Sequence, residues 1–174
     1  QITIPIKSLR MLTTSDGTKV GYVELSEFAV DAGDRVRSAV EWTTRQGARW
    51  IILDLRYNPG GLVTEAVAVS SLFIKEGTIV TTEGLNSPQE VYSASGEQVT
   101  RLPLVVLVNQ YSASASEIVS GALQDHERAT LIGTRTYGKA TVQEVVPMPD
   151  EAALKLTIAV YRTPDGRNIN ARGI

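Results

Sequence analysis

Among the side chains able to do covalent chemistry, the serines of YSASASE, Tyr111 to Glu117, stand directly ahead of an apolar-striped segment, SEIVSGALQD. A serine at a helix start can act as a nucleophile, with the amide of the following residue as oxyanion donor, which is the logic of a nucleophile elbow. The same text has a plainer structural reading. Ser114 with Glu117 three residues on is a capping box, S-x-x-E before an apolar run. Ser93-Ala94-Ser95-Gly96 repeats the Ser-Ala-Ser text in what reads as an ordinary turn, so the string alone does not select chemistry. A second turn, DLRYNPGG (Asp54 to Gly61), closes an apolar run. Its adjacent glycines let backbone amides approach an anion, and the helix predicted after it points its positive end at the same spot. That turn also has a plain reading, as glycine that merely stops a strand.

A serine nucleophile needs a base. His126 is the sole histidine, and it follows Ser114 by 12 positions along one predicted helix. At 1.5 Å rise per residue that places the two about 18 Å apart, so a Ser-His pair is excluded and His126 reads as a solvated helix end. The remaining base is a lysine, which accepts a proton only where its surroundings leave it neutral. Lys139, between Gly138 and Ala140 and flanked by two apolar strands, has the least charged neighbourhood of the lysines.

Lys139 also belongs to a competing pattern. Gly133 to Lys139 fits G-x-x-x-x-G-K, the phosphate loop of nucleotide hydrolases, and WIILD ending at Asp54 resembles a strand aspartate that helps to hold magnesium. Against a nucleotide binder stand Ala140 where a Ser or Thr would ligate the metal, the β-branched and extended TVQEVV where a helix should come next, and an aspartate that precedes the loop.

The elements that would carry these turns can be read from periodicity. IKSLRMLTTSDGTKVGYVEL reads as strands around Asp16-Gly17. Val36, Ala39, Val40 and Thr43 stripe a helix from Asp31 to Gln46, which Gly47 ends. WIILDL and LPLVVLVN are short apolar runs and read as buried strands; each precedes a turn and a predicted helix, Leu62 to Ile74 after the first and the SEIVSGALQD segment after the second. Thr78 to Thr100, with Gly84, Asn86, Ser87 and Pro88, reads as a strand and hairpin on the surface; the remainder is extended, with turns at Pro149-Asp150 and Pro164-Asp165-Gly166. The sum is a single α/β domain with a mixed sheet built from strand-turn-helix units.

Composition excludes several functions. The chain has 174 residues, 17 Lys plus Arg against 19 Asp plus Glu, 43% hydrophobic residues and no cysteine. Disulfides, thiolate nucleophiles, iron–sulfur clusters and cysteine-based zinc sites are thereby ruled out, and a single histidine leaves little for any other zinc site. No Lys/Arg block offers nucleic acid a footprint, and no apolar run approaches the roughly 18 residues of a membrane span.

DLRYNPGG, LVVLVNQYSASASEIVSGALQD, IGTRTYGKATVQ and LTIAVYRTPDGRNI, in this order, resemble the catalytic core of the C-terminal processing peptidases, or tail-specific proteases. The resemblance runs from about Val20 to the end and is most specific from Pro103 to Gln143. It implies a crotonase/Clp-protease-like fold and a Ser-Lys serine endopeptidase, with Ser114 as nucleophile, Lys139 as base and Gln143 as the lysine's hydrogen-bonding partner. It further implies an oxyanion hole of the Gly60 and Ala115 amides, no cofactor, and protein or peptide substrates with apolar C-termini. The family acts outside the cytoplasm, in the bacterial periplasm or the chloroplast thylakoid lumen. A homo-oligomer stays open. The family glycine after the lysine is Ala140 here, which demands a backbone conformation open to side chains. Family members carry a PDZ domain ahead of the core; residues 1–174 read as the peptidase core alone. A non-catalytic scaffold of the same fold is the alternative, opposed by the intact Ser114, Lys139 and Gln143.

Overall fold

The computed structural model describes residues 5–84, 88–148 and 153–174. The turns expected at Asn86-Ser87 and at Pro149-Asp150 lie outside the described residues. Strands β1 (Ile6–Thr13) and β2 (Lys19–Leu25) form an antiparallel hairpin around Gly17, whose φ of 84° suits the turn. Helix α1 (Ala32–Arg45) then leads to β3 (Trp50–Asp54), and α2 (Val63–Ser71) comes after the DLRYNPGG turn. Next come β4 (Thr78–Gly84), β5 (Glu90–Ser93), β6 (Leu104–Val108), α3 (Ala115–Asp125), β7 (Thr130–Gly133), β8 (Thr141–Pro147) and β9 (Ala153–Arg162).

These strands make two sheets. The five-stranded sheet has the order β1-β2-β3-β6-β7 and is mixed, because β2, β3, β6 and β7 run parallel while β1 is antiparallel. Its parallel crossovers all step in one direction, and right-handed crossovers of that kind put α1, α2 and α3 on one face. Burial agrees. Val23, Leu25, Ile51, Leu53, Leu104, Val106 and Val108 are buried toward the helices. The alternate positions Ile52, Val105 and Leu107 are only half-buried and Trp50 is exposed. The continuous apolar runs of β3 and β6 read as strands covered on both faces; within this chain the helices cover one.

The second sheet, β5-β4-β9-β8, is antiparallel. Strand β4 is not the surface strand the sequence suggests, since Ile79 and Val80 are buried, and α2 and α3 lie between the two sheets. Its partner β9 pairs Tyr161 with Thr82, bringing the end of the chain against α3. No helix among the described residues is long and apolar enough to cross a membrane.

Candidate active site

Two turns leave the carboxyl ends of the adjacent parallel strands β3 and β6 on the same side, where open α/β sheets place their ligands. They are woven together by the serine string itself. The Ser112 hydroxyl donates to the Leu55 carbonyl at 2.8 Å and the Ser116 hydroxyl to the Asn58 carbonyl at 3.0 Å, and both serines are fully buried. Ser114 alone of the three is half-buried and open to a reactant. Its backbone has φ 56° and ψ −116°, a region that an L-residue occupies only under strain, of about 1–3 kcal/mol. The structure thus selects one serine by burial and backbone geometry. The decoy Ser95 lies elsewhere, its N–H held by Ser71 Oγ at 3.1 Å.

The Gly60 backbone lies against this residue. A Cβ on Gly60, whose φ is 105°, would stand 2.7 Å from both the Ala113 carbonyl oxygen and Ser114 Cβ, so only glycine fits. The Gly60 N–H donates to Asn58 Oδ1 at 2.9 Å, while buried Asn58 ties its own Nδ2 to the Leu25 carbonyl at 2.8 Å. The Ala115 N–H, at the first turn of α3, has no acceptor among the described residues. A serine oxygen beside an unsatisfied helix-terminal N–H can attack a carbonyl and leave the resulting oxyanion stabilised.

Glu117 is the residue that joins this turn to Lys139. It is fully buried and its carboxylate accepts four hydrogen bonds. Oε2 takes the N–H of Ser114 at 2.9 Å and of Lys139 at 2.8 Å; Oε1 takes the Thr136 hydroxyl and the Gly138 N–H, each at 2.6 Å. The capping bond read from the sequence is present, and it is one of four. Tyr161 makes a matching bridge on the carbonyl side: its hydroxyl contacts the Ser114 carbonyl at 3.1 Å and forms a short hydrogen bond to the Lys139 carbonyl. Burial pushes the phenol pKa far above its ordinary value, and the Glu117 charge adds to the rise, so the hydroxyl stays a donor.

Lys139 is half-buried and lines a hollow of about 510 Å³ with Tyr57, Pro59, Tyr111, Ala113 and Tyr137. Gly138, at φ 86°, turns the chain just before it, and Ala140 is fully buried without a positive φ, so its methyl group is accommodated. The segment after Lys139 forms strand β8 and not a helix, which removes the phosphate-loop geometry. Gln143 is exposed on β8, beside an irregularity in the β8–β9 register between Val142 and Gln143, and no hydrogen bond among the described residues joins it to Lys139. His126 caps the far end of α3, as its spacing requires. It is half-buried rather than freely solvated, with Nε2 2.7 Å from the Thr78 carbonyl oxygen. No group of three or more His, Asp or Glu among the described residues could hold a metal ion.

The residues that sequence reasoning missed are Asn58, Thr136 and Tyr161, together with the bridging role of Glu117. Of these only Glu117 is singled out in the sequence, by its place in the capping box, which accounts for its bond to Ser114 and not for the other three.

Residues 19–174 match the model of peptidase family S41. The carboxyl-terminal-processing protease of Synechocystis sp. is 46% identical over 158 residues, covering 91% of this chain and 37% of that protein. The chloroplastic carboxyl-terminal-processing peptidase 3 of Arabidopsis thaliana is 44% identical over 168 residues, 93% of this chain and 32% of that protein. The solved structure of a photosystem II D1 C-terminal processing protease superposes with a TM-score of 0.90 at 33% identity, over 99% of this chain and 47% of its own. The chain therefore spans about a third to a half of the length of these relatives. With a match from residue 19 to the last residue and this degree of identity across nine-tenths of its length, the chain belongs to peptidase family S41.

Proposed function

We propose that residues 1–174 form the serine-endopeptidase core of a C-terminal processing protease, cleaving protein substrates near apolar C-termini by a Ser114-Lys139 dyad. Lys139, as the base, takes the Ser114 Oγ proton as that oxygen attacks the substrate carbonyl. The proton then passes to the leaving amine as the C–N bond breaks, leaving an acyl-enzyme that water hydrolyses. Ala115 supplies the unengaged oxyanion donor. The Gly60 amide, already aimed at Asn58 Oδ1, serves as a shared second donor, and one such donor is worth about 3 kcal/mol in the transition state. Gln143 orients the lysine amine once substrate is bound. No cofactor takes part, and the site of action is outside the cytoplasm, in the periplasm or the thylakoid lumen; the Arabidopsis relative's name, chloroplastic, supports the second.

The observation that carries this reading is the convergence of Ser114 and Lys139 on one buried carboxylate, beside the open Ala115 amide. Its test is intact-mass analysis of an unfolded protein with an apolar C-terminus, incubated with the parent chain and with Ser114→Ala. Cleavage by the parent alone is expected; equal cleavage by both removes Ser114 as nucleophile.

A further inference from the structure

Three tyrosines around the dyad are unexplained by the fold or by the proposed chemistry. Tyr57, Tyr111 and Tyr137 are 68%, 55% and 66% exposed, yet all line the hollow that Lys139 enters, which at about 510 Å³ is of ligand-pocket size. Two of them are held in place. Asn109, buried at the end of β6, accepts the N–H of Tyr57 and of Tyr111 through Oδ1, each at 3.1 Å. Their rings stack, with centroids 5.4 Å apart and planes within 18°. The third is tied to the serine string by its N–H, which donates to the Ser112 carbonyl at 3.0 Å.

Tyr57 has φ 63°, a conformation that suits glycine or asparagine and is an outlier for a bulky side chain. The core gains nothing from an exposed ring there, and strain without a packing return marks a working position. We propose that this tyrosine-walled hollow binds an aromatic side chain of the polypeptide substrate, on a residue beside the bond presented to Ser114. The inference rests on the peptidase reading and names the substrate class for that site. The lining favours this occupant over a charged one. Among the described residues that line it there is no carboxylate to pair with a lysine or arginine side chain, the one ionisable cation is Lys139, and Pro59 and Ala113 add apolar surface. A ring packs offset or edge-on against a fixed tyrosine pair without new ordering cost to the protein.

The test uses three unstructured peptides, identical except for one central residue, Phe, Ala or Lys, titrated calorimetrically into the Ser114→Ala variant. The Phe peptide is expected to bind about tenfold more tightly than the Ala peptide, and the Lys peptide no more tightly than Ala. Adding Tyr57→Asn, which tolerates the positive φ, or Tyr111→Ala should each bring the Phe-to-Ala ratio close to one. Equal affinities, no binding of the Phe peptide, or a ratio unchanged in both tyrosine variants overturns the aromatic hollow. The parent chain, given the same peptides, separates the two claims. Selective binding without any cleavage removes the peptidase reading and leaves the hollow; cleavage of the Phe and Ala peptides with equal kcat/KM does the reverse.

Discussion

The backbone N–H groups of Ser114 and Lys139 donate to the same atom, Oε2 of Glu117, at 2.9 and 2.8 Å. The carbonyls of the same two residues share the Tyr161 hydroxyl. The turn after β6 and the loop that leads from β7 into β8 are thus locked together by one shared acceptor and one shared hydroxyl. The spacing of their side chains is set by backbone contacts that do not depend on either side chain. A neutral serine and a lysine with no intervening histidine need such fixed geometry, because misplacement by about 1 Å can cost a hundredfold in rate.

Glu117→Gln should therefore damage both stability and turnover. A carboxamide of the same shape has one oxygen, so two of the four donors now at Glu117 must face an NH₂ group in a fully buried site. Leaving buried donors unpaired around a lost charge costs about 3 kcal/mol. The urea midpoint should fall accordingly, and kcat should drop about a hundredfold with little change in KM, since the damage is to alignment. Parental kcat in Glu117→Gln would show that the bridge does not set the dyad.

Lys139→Arg separates the proposed base from the scaffold. Guanidinium remains protonated at any working pH and cannot accept the serine proton. The bonds that fix residue 139 come from its N–H and carbonyl, which the substitution leaves alone. The variant should unfold at the parental urea concentration and show no turnover by mass analysis. Measurable cleavage would remove Lys139 as the base.

The sequence makes the scaffold of the site readable and hides its joints. WIILD and LVVLV announce β3 and β6 because a short apolar run bounded by turn residues has few other fates, and Gly60 and Ser114 stand at the ends of those runs. Lys139 is reachable by elimination, since His126 is too far along the helix. Glu117 is not, because a capping box already accounts for it locally, and its other three donors come from Thr136, Gly138 and Lys139, beyond the end of its helix. The burial of Ile79 and Val80 is hidden for the same reason: the register of β4 with β9, Thr81 opposite Arg162, is a pairing between distant segments that no local pattern encodes. His126 carries the converse error, its charged neighbours suggesting solvent where the Thr78 carbonyl waits.

Asp54 gives the stability a pH dependence of definite sign. Burial alone would raise its pKa, but hydrogen bonds from the Arg56 side chain and backbone N–H and from the Tyr22 hydroxyl outweigh it, and the net shift is downward. With the folded value below the unfolded value of about 3.9, the unfolded chain binds more protons between the two. The contribution is then complete above about pH 4 and lost as pH falls through the folded value. In Asp54→Asn the urea midpoint should vary less between neutral pH and pH 2 than in the parent. A residual slope is expected from Asp16, whose pKa is also lowered, first by the Thr14 hydroxyl. An unchanged slope would mean that the Asp54 cluster persists in the unfolded chain.

The strain at Ser114 predicts a difference between two inactive variants. Ser114→Ala and Ser114→Gly both remove the proposed nucleophile, and the bond from residue 114 N–H to Glu117 survives in each. Alanine keeps a Cβ at φ 56° and ψ −116° and so keeps the strain, whereas glycine enters that region freely. Glycine also gives the unfolded chain more freedom, which costs the folded state about 0.5–1 kcal/mol. The strain relieved, about 1–3 kcal/mol, exceeds that cost, so Ser114→Gly should be the more stable of the two by about 1 kcal/mol. Urea denaturation of both variants at one pH measures it. If Ser114→Ala is equally or more stable, the backbone at the nucleophile is relaxed, and the elbow geometry contributes nothing that a regular helix start would lack.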